Sequence, residues 1–367
     1  MSELKRTLRR ALHTTALAGV LITLASCGAD SSPQPAPTPQ PLATELVFYD
    51  WSADMPQSVL DAFSAEYGVE VIYVPYEAQE EAIENIRAGK VYDVAVLDND
   101  TILLLVADGL LAEIDYRNVP NFKNISANFR DLAYDPDNRH AIPYNWGTTG
   151  LVVRSDLVDE LPTHWADLWD PRYAGKIAVR EEVPLDLIGL TLRSLGYSIN
   201  SEDPQELEEA LAHMLELRPA VHFVGSYAED ALPVLLSGEA IIMVGWAEDV
   251  LTGREENEAI VYILPEDGPM LWGDNFVIPA SSPRKYTAEV FLNFLLQPEI
   301  SAQIVNENYY ATANEAAYPF INPEILNDPV IFPSSENIVN AEIFLPHGLK
   351  EMTAYAEMWE RFVATGP

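Results

Sequence analysis

Residues 270–279, with the sequence MLWGDNFVIP, contain the pattern from which the fold and the binding site are predicted. They place an indole, Trp272, two residues before a carboxylate, Asp274, directly ahead of a short apolar run that we expect to form a buried strand. The face of an indole attracts positive charge, and a carboxylate neutralises it. This stretch therefore predicts a binding site for an organic cation at the edge of a strand.

Two other segments repeat the combination. The apolar residues 46–49 run into DWSAD at residues 50–54, and the apolar residues 241–244 run into GWAED at residues 245–249. One tryptophan beside an aspartate is typical of an ordinary core residue next to a solvated charge. Ligands of open α/β sheets collect at the carboxyl ends of strands, so three such strand ends favour one shared pocket.

Strand and helix patterns alternate from Glu45 onward. Residues 45–97 show the order βαβαβ, in which Pro56 opens and Gly68 ends the first helix. That order predicts a parallel sheet with right-handed crossovers. Residues 141–153 then predict a crossing strand with two glycines, a segment able to flex between two lobes. The fold class is therefore α/β.

Composition limits the function classes. The 367 residues suffice for two domains with hydrophobic cores, and 21 basic against 57 acidic side chains give a net charge of −36. Such a surface repels nucleic acid and anionic lipid headgroups and attracts cations. An acidic surface can also serve solubility or a saline habitat alone, so the charge by itself gives weak support for a cationic ligand.

The amino terminus predicts a lipoprotein signal. A basic stretch at residues 5–10 and an apolar stretch at residues 16–24 precede the only cysteine, Cys27. The tetrapeptide LASC at residues 24–27 resembles the bacterial lipobox. We expect residues 1–26 to be removed and Cys27 to carry lipid, with ordinary secretion as the alternative. Alternating prolines within residues 27–44 predict a stiff spacer that holds the domain off the membrane.

Motifs for catalysis are missing from the sequence. The six histidines are scattered, and no phosphate-binding glycine loop, dinucleotide fingerprint or nucleophile-elbow motif occurs. Paired carboxylates alone would still permit a glycosidase. A binding module fits better, so we expect neither enzyme activity nor a cofactor.

Seven segments together carry a family resemblance. They are FYDWS at 48–52, IPYNWG at 142–147, WADLW at 165–169, LRSLGY at 192–197, VGWAED at 244–249, WGD at 272–274 and YATAN at 310–314. In this order and spacing the sequence resembles the extracytoplasmic polyamine-binding proteins of ABC transporters, which carry spermidine and putrescine. The resemblance covers nearly everything from Glu45 onward.

The resemblance implies a two-lobed, type II periplasmic-binding-protein-like fold that closes on its ligand like a clamp. Lobe 1 would comprise residues 45–147 plus 272–314, and lobe 2 residues 148–271 plus 315–367. The implied partners are a polyamine and an ABC permease, for a monomer in the periplasm or on the outer face of the cytoplasmic membrane. It would touch the membrane through its lipid alone and bind no nucleic acid. A polyamine sensor lobe and a metal-cation-binding protein remain alternatives.

The resemblance also implies ligand-binding residues. The aromatic walls would be Trp51, Trp246, Trp272 and Tyr310. The ammonium-binding acids would be Asp186, Asp249 and Asp274, and Ser52 would also touch the ligand. In addition to what the resemblance implies, we expect Asp54 and Asp98 to make secondary contacts, as Ser52 does. An aspartate at position 249 is the feature of members that favour putrescine.

The chain departs from the family at several acids. The family usually has serine at the position of Asp98, often an aromatic at Asp100, and a tyrosine near Asp54. Together with Asp186, Asp249 and Asp274, these three acids would bring six negative charges to a ligand with two or three positive charges. Carboxylates crowded in one pocket take up protons. We expect several of them to face solvent; otherwise the ligand is not an ordinary polyamine. Residues 98–100, DND, would form a loop turn or, alternatively, seat a hard metal ion.

Overall fold

The computed structural model describes residues 40–180, 184–224, 231–345 and 349–365, with side chains undescribed at 223, 224, 231 and 349–351. The predicted signal, Cys27 and most of the proline-rich spacer lie outside the described residues. Among the described residues, no helix has the length and apolar composition that crossing a membrane requires.

Strands and helices alternate along the described chain. The strands are β1 (Glu45–Trp51), β2 (Glu70–Tyr76), β3 (Val94–Asp98), β4 (Ala141–Arg154), β5 (Ile177–Arg180), β6 (Val221–Val224), β7 (Ile242–Gly245), β8 (Ile260–Ile263), β9 (Met270–Val277), β10 (Ala311–Thr312) and β11 (Glu342–Ile343). The helices are α1 (Gln57–Tyr67), α2 (Gln79–Arg87), α3 (Asn99–Ala107), α4 (Pro184–Ser194), α5 (Pro204–Leu217), α6 (Ala231–Ser237), α7 (Ala247–Glu256), α8 (Lys285–Leu295), α9 (Pro298–Asn308), α10 (Pro323–Leu326) and α11 (Leu349–Ala364). Short 3₁₀ helices fill several of the connections, including Pro120–Asn124, Trp165–Trp169 and Glu315–Phe320.

The first lobe contains the predicted βαβαβ unit. β1 lies between β2 and β3 and is parallel to both, and β9 then pairs antiparallel with β3 and with β4. α1 turns Val59, Leu60 and Phe63 toward the sheet, as the apolar spacing predicts. The helix ends at Gly68, whose φ of 68° suits glycine. This sheet carries the carboxyl ends of β1 and β3 to the same edge.

The second lobe is built on a smaller mixed sheet. β5 is parallel to β6 and β7, whereas β7 and β8 flank the end of β4 and run antiparallel to it. Helices α4, α5 and α11 pack on one side around the fully buried Trp165. The predicted fold class, two α/β lobes joined by crossing strands, is confirmed.

β4 is the longer crossing strand. Its 14 residues are all buried. Residues 141–143 and 146–149 pair with β9, residues 150–153 pair with β7, and residues 151–154 pair with β8. Gly147 is the register partner of Trp272, and a Cβ at position 147 would lie 2.2 Å from Trp272 Cζ2. Only glycine therefore lets the indole lie across the crossing.

Two details differ from the sequence-based expectations. Trp272 and Asp274 lie inside β9 rather than ahead of it, because pairing with β3 and β4 extends the strand through both residues. Glu315–Phe320 was expected to belong to lobe 2. It instead packs on α9, in a cluster that joins Ala317 to Ala302 and Val305, because its apolar side chains meet the apolar face of that helix.

Candidate ligand-binding site

The acidic edge of the first lobe is where two of the predicted strand ends meet. Asp98 of β3 and Asp274 of β9 are register partners. The indole nitrogen of Trp51, at the end of β1, donates to Asp274 Oδ1 at 3.2 Å. The Trp51 ring also lies 4.5 Å from the Tyr76 ring, centroid to centroid. Residues more than 200 positions apart in sequence thus form one aromatic and acidic surface.

A second aromatic pair lies where the lobes face one another. The rings of Trp272 and Tyr310 meet edge to face, with centroids 5.6 Å apart. The Tyr310 hydroxyl donates to Glu248 Oε2 at 2.8 Å. Tyr310 precedes β10 in the first lobe and Glu248 lies on α7 in the second, so this hydrogen bond joins the two lobes.

Asp54 lies in the same acidic edge, although it comes from the turn after β1. Its side chain is buried, and Asn308 Nδ2 donates to its Oδ1 at 3.1 Å. Burial, together with the negative charge of Asp274, raises the pKa of Asp54 to about 7. At neutral pH this carboxyl is therefore only partly ionised.

The other carboxyl groups at this edge show the same effect. Burial raises the pKa of Asp50 and Asp98 well above the ordinary value, and it raises the pKa of Asp100 to about 6. The pKa of Asp274 is also raised by burial, although a hydrogen bond with the Asp98 carboxyl opposes the shift. Our expectation that several of these acids face solvent was wrong: each is buried or largely so, because all lie at the junction of β1, β3 and β9.

The second lobe contributes Trp246 and a buried cation. The guanidinium of Arg180 lies over the Trp246 ring at 4.5 Å from its centroid, and it pairs with Asp249 Oδ1. The other oxygen, Asp249 Oδ2, accepts from the backbone N–H of Trp246 at 2.9 Å. Asp249 therefore holds Arg180 and the start of α7, whereas we expected it to take a ligand ammonium.

Asp186 lies close to this group, in the first turn of α4. It is buried, and burial raises the pKa of its carboxyl to about 7 while the charge of Arg180 opposes the shift. Thr149 and Trp246 hydrogen-bond the carboxyl, and Trp246 Nε1 also donates to Thr149 Oγ1 at 3.2 Å. Thr149 belongs to the crossing strand, so it connects the second-lobe site to the hinge.

Not every predicted residue lies with these groups. Ser52 is exposed on the turn after β1, where its backbone N–H donates to Tyr76 O at 3.0 Å. The structure also adds Asp50, Glu248 and Arg180, which the sequence patterns did not single out as ligand contacts. Asp50 and Glu248 lie within the segments 48–52 and 244–249 that carry the family resemblance. For Arg180, the sequence signal is a single arginine at the end of the apolar residues 177–179.

The metal alternative was based on residues 98–100. In the ranges that the structure describes, no three His, Cys, Asp or Glu side chains are arranged to hold a metal ion. Residues 98–100 end β3 and begin α3, and Asn99 Oδ1 accepts from Asn275 Nδ2 at 2.8 Å. The triplet is therefore built into the strand-to-helix junction.

Comparisons with known proteins identify the family of the chain. A sequence profile described as bacterial extracellular solute-binding protein matches residues 58–333. The chain belongs to this family. This solute-binding protein is 32% identical over 300 residues to the spermidine/putrescine-binding periplasmic protein of Escherichia coli K12, covering 81% of this chain and 85% of that protein. It is 28% identical over 330 residues to the putrescine/cadaverine-binding protein of Pseudomonas aeruginosa PAO1, covering 86% and 93% of the two chains.

A solved structure is similar over most of this solute-binding protein. It is the spermidine/putrescine ABC transporter substrate-binding protein PotD of Streptococcus pneumoniae, in complex with calcium and HEPES. The TM-score is 0.80 at 31% identity, and the match covers 88% of this chain and 99% of that one. The family resemblance stated from the sequence is confirmed.

Proposed function

We propose that the protein binds a polyamine, putrescine or spermidine, in the cleft between its lobes and delivers it to an ABC permease outside the cytoplasm. The observation that carries the proposal is the contact of Trp51 Nε1 with Asp274 Oδ1, which brings two tryptophan–aspartate strand ends to one place. A polyamine is a chain of methylenes with ammonium groups, so its site needs aromatic walls and carboxylates. The curated relatives support the same ligand class.

The proposed roles follow from position. Trp51, Trp272 and Tyr310 line the first-lobe side of the cleft, and Trp246 lines the second-lobe side. Asp274, supported by Asp98 and Asp54, takes one ammonium, and Asp186 takes the other. Each charge-assisted hydrogen bond contributes roughly 1.5–3 kcal/mol, and each cation–π contact roughly 0.5–2 kcal/mol. Asp249 acts through Arg180, and Ser52 is a contact at the rim.

Calorimetric titration tests the ligand class directly. Putrescine and spermidine should each bind at one site, whereas calcium should give no heat of binding. The matched control ligand is 1,4-butanediol, which keeps the four-carbon chain but has no charge, and it should not bind. Binding of calcium alone would favour the metal-cation alternative, and no binding of either polyamine would contradict the proposal.

We also propose that Cys27 carries the lipid that holds the domain at the membrane. The cysteine follows a basic and an apolar stretch and precedes the proline-rich spacer. Cells grown with a labelled fatty acid should incorporate the label into the wild-type protein but not into Cys27→Ser, and polyamine affinity should be the same for both. A wild-type protein that incorporates no label would contradict the lipid anchor.

A further inference from the structure

The acidic edge of the first lobe contains more carboxyl groups than a single ammonium can neutralise. Four elements and one turn supply them. Asp50 is the next-to-last residue of β1, Asp98 ends β3, Asp100 lies in the first turn of α3, Asp274 lies in β9, and Asp54 lies in the turn between β1 and α1. Asp50 is fully buried and Asp54 is 6% exposed. We call these residues the acidic cluster.

Three buried oxygens of the acidic cluster have no hydrogen-bond partner among the described residues. They are Asp50 Oδ2, Asp54 Oδ2 and Asp100 Oδ1. The other oxygen of Asp50 accepts from the Trp51 N–H, and that of Asp54 accepts from Asn308. A buried oxygen of an ionised carboxylate that has neither a donor nor a cation is unfavourable, because its lost hydration is not replaced. Each of these carboxyl groups is therefore stabilised by binding either a proton or a cation that comes from outside the protein.

The neighbouring titratable groups do not supply that positive charge. Glu80 from α2 and Glu248 from α7 add further negative charge. The tyrosines around the cluster carry uncharged hydroxyl groups and add no positive charge. Those tyrosines are Tyr73 and Tyr76 from β2, Tyr144 from β4 and Tyr310 before β10. Within the described residues, no lysine, arginine or histidine forms an ion pair with the acidic cluster, Glu80 or Glu248.

We propose that the acidic cluster is a proton-binding site coupled to the ligand site: it holds at least one proton while the cleft contains no cation, and it releases that proton when a ligand ammonium binds. This inference rests on the proposed function. The exchange balances charge, since one bound positive charge replaces another. It also lets the cleft accept a polyamine without leaving uncompensated carboxylates in the empty state.

Asp98 is the residue best placed to hold the exchanged proton. It is the register partner of Asp274, so the two carboxyl groups lie side by side, and burial together with the negative charge of Asp274 raises the pKa of Asp98 well above its ordinary value. Asp274 also accepts from Trp51 Nε1, a bond that favours its ionised form. Asp98 is therefore the carboxyl that holds the proton, and Asp274 is the one that stays ionised. An arriving ammonium would donate to Asp274 and remove the reason for Asp98 to stay protonated.

Calorimetry in two buffers at pH 7 measures the exchange. Phosphate and Tris differ in ionisation enthalpy, so the difference in observed heat gives the number of protons released per bound putrescine. We expect more than about half a proton for the wild type. Asp98→Asn should lower that number by about half or more, whereas the exposed control Asp61→Asn should leave it unchanged. A wild-type value of zero, or an unchanged value in Asp98→Asn, would overturn the inference.

A measurement without ligand separates this inference from the proposed function. The ligand-free protein at pH 7 should show the infrared carbonyl band of a protonated carboxyl, and Asp98→Asn should weaken it. Failure of any polyamine to bind would contradict the proposed function but leave this band as a test of the cluster. Absence of the band in the wild type would overturn the proton site even if polyamines bind.

Discussion

Asp274 is the residue at which the structural and chemical arguments meet. It lies beside Asp98, accepts a hydrogen bond from Trp51 and is 7% exposed. The sequence pattern identified it because a tryptophan and an aspartate stand two positions apart before an apolar run. The same pattern could not show that Asp98 and Asp50 converge on it, since strand order is not written in local composition.

We predict that Asp274→Asn weakens polyamine binding tenfold or more. Removing one partner of a buried charge pair costs on the order of 2–5 kcal/mol. Titration of the variant beside the exposed control Asp61→Asn checks this, and the control should bind like the wild type. Equal affinity of Asp274→Asn and wild type would remove Asp274 from the site.

Arg180 shows what residue patterns miss. Its partner Asp249 lies 69 positions away, and the aspartate matched a ligand-binding position of the family, so the sequence assigned the charge to a ligand. In the structure that charge belongs to an internal pair with side chains 1% and 7% exposed. Composition cannot distinguish these two uses of one carboxylate.

We predict that Arg180→Met lowers the free energy of unfolding by about 3–5 kcal/mol, because it leaves Asp249 buried without a cation. The double variant Arg180→Met/Asp249→Asn should recover part of the loss, since asparagine can still accept from the Trp246 N–H. Urea unfolding of the single and double variants measures both effects. A double variant no more stable than Arg180→Met would contradict the pairing.

At the scale of elements, hydrophobic periodicity predicted most helices and strands because each buries one regular face. The limits of β9 were harder to predict. Its polar residues Asp274 and Asn275 look like a strand end, yet ladder bonds to β3 and β4 continue through them. Partners distant in sequence thus override the local pattern, and they place the site within a strand rather than in a loop.

The crossing of β4 and β9 permits a test through Gly147. We predict that Gly147→Ala destabilises the protein and weakens polyamine binding, because its Cβ would overlap the indole of Trp272. Trp272→Phe removes the atoms involved. The substitution Gly147→Ala should therefore cost less stability in the Trp272→Phe background than in the wild type. Thermal unfolding measures this cycle, and strictly additive losses would contradict the packing.

The hydrogen bond between Tyr310 and Glu248 connects two elements across the cleft. We predict that Tyr310→Phe raises the dissociation rate of a bound polyamine roughly three- to tenfold, because a hydrogen bond to a charged group contributes roughly 1.5–3 kcal/mol and less at an exposed site. Stopped-flow displacement measures the rate. The matched control is Tyr309→Phe, whose side chain is exposed. Equal rates in the two variants would contradict a role for this bond.

At the scale of the whole molecule, the family resemblance made the two-lobed fold predictable. The net charge of −36 predicted a surface that attracts cations, but it did not predict which acidic residues lie close together in the fold. The structure places the acidic cluster inside rather than on the surface. Burial, not net charge, is therefore the main cause of the raised pKa of these groups.

This burial predicts an unusual dependence of stability on pH. The pKa of Asp54 and of Asp186 is raised to about 7 in the folded chain, so between about pH 4 and 7 the folded state binds more protons than the unfolded state. Stability should therefore fall as pH rises through this window, by on the order of 2 kcal/mol per group between pH 5.5 and 7.5. The melting temperature of the ligand-free protein should be a few degrees higher at pH 5.5 than at pH 7.5.

The surface charge also changes with pH, so the difference between variants carries the test. Asp54→Asn should reduce the gain in melting temperature at pH 5.5, whereas Asp61→Asn should show the full gain. Scanning calorimetry at both pH values makes the comparison. An unchanged gain in Asp54→Asn would assign the effect to surface charge.

A crystal structure of the protein with bound spermidine tests the central claim most directly, because it shows whether the remote strand ends hold one ligand. We predict an ammonium within hydrogen-bond distance of Asp274, with methylenes against Trp51 and Trp272 and the far end near Asp186. Spermidine bound elsewhere, or seated without contact to Asp274 and the two indoles, would contradict the claim.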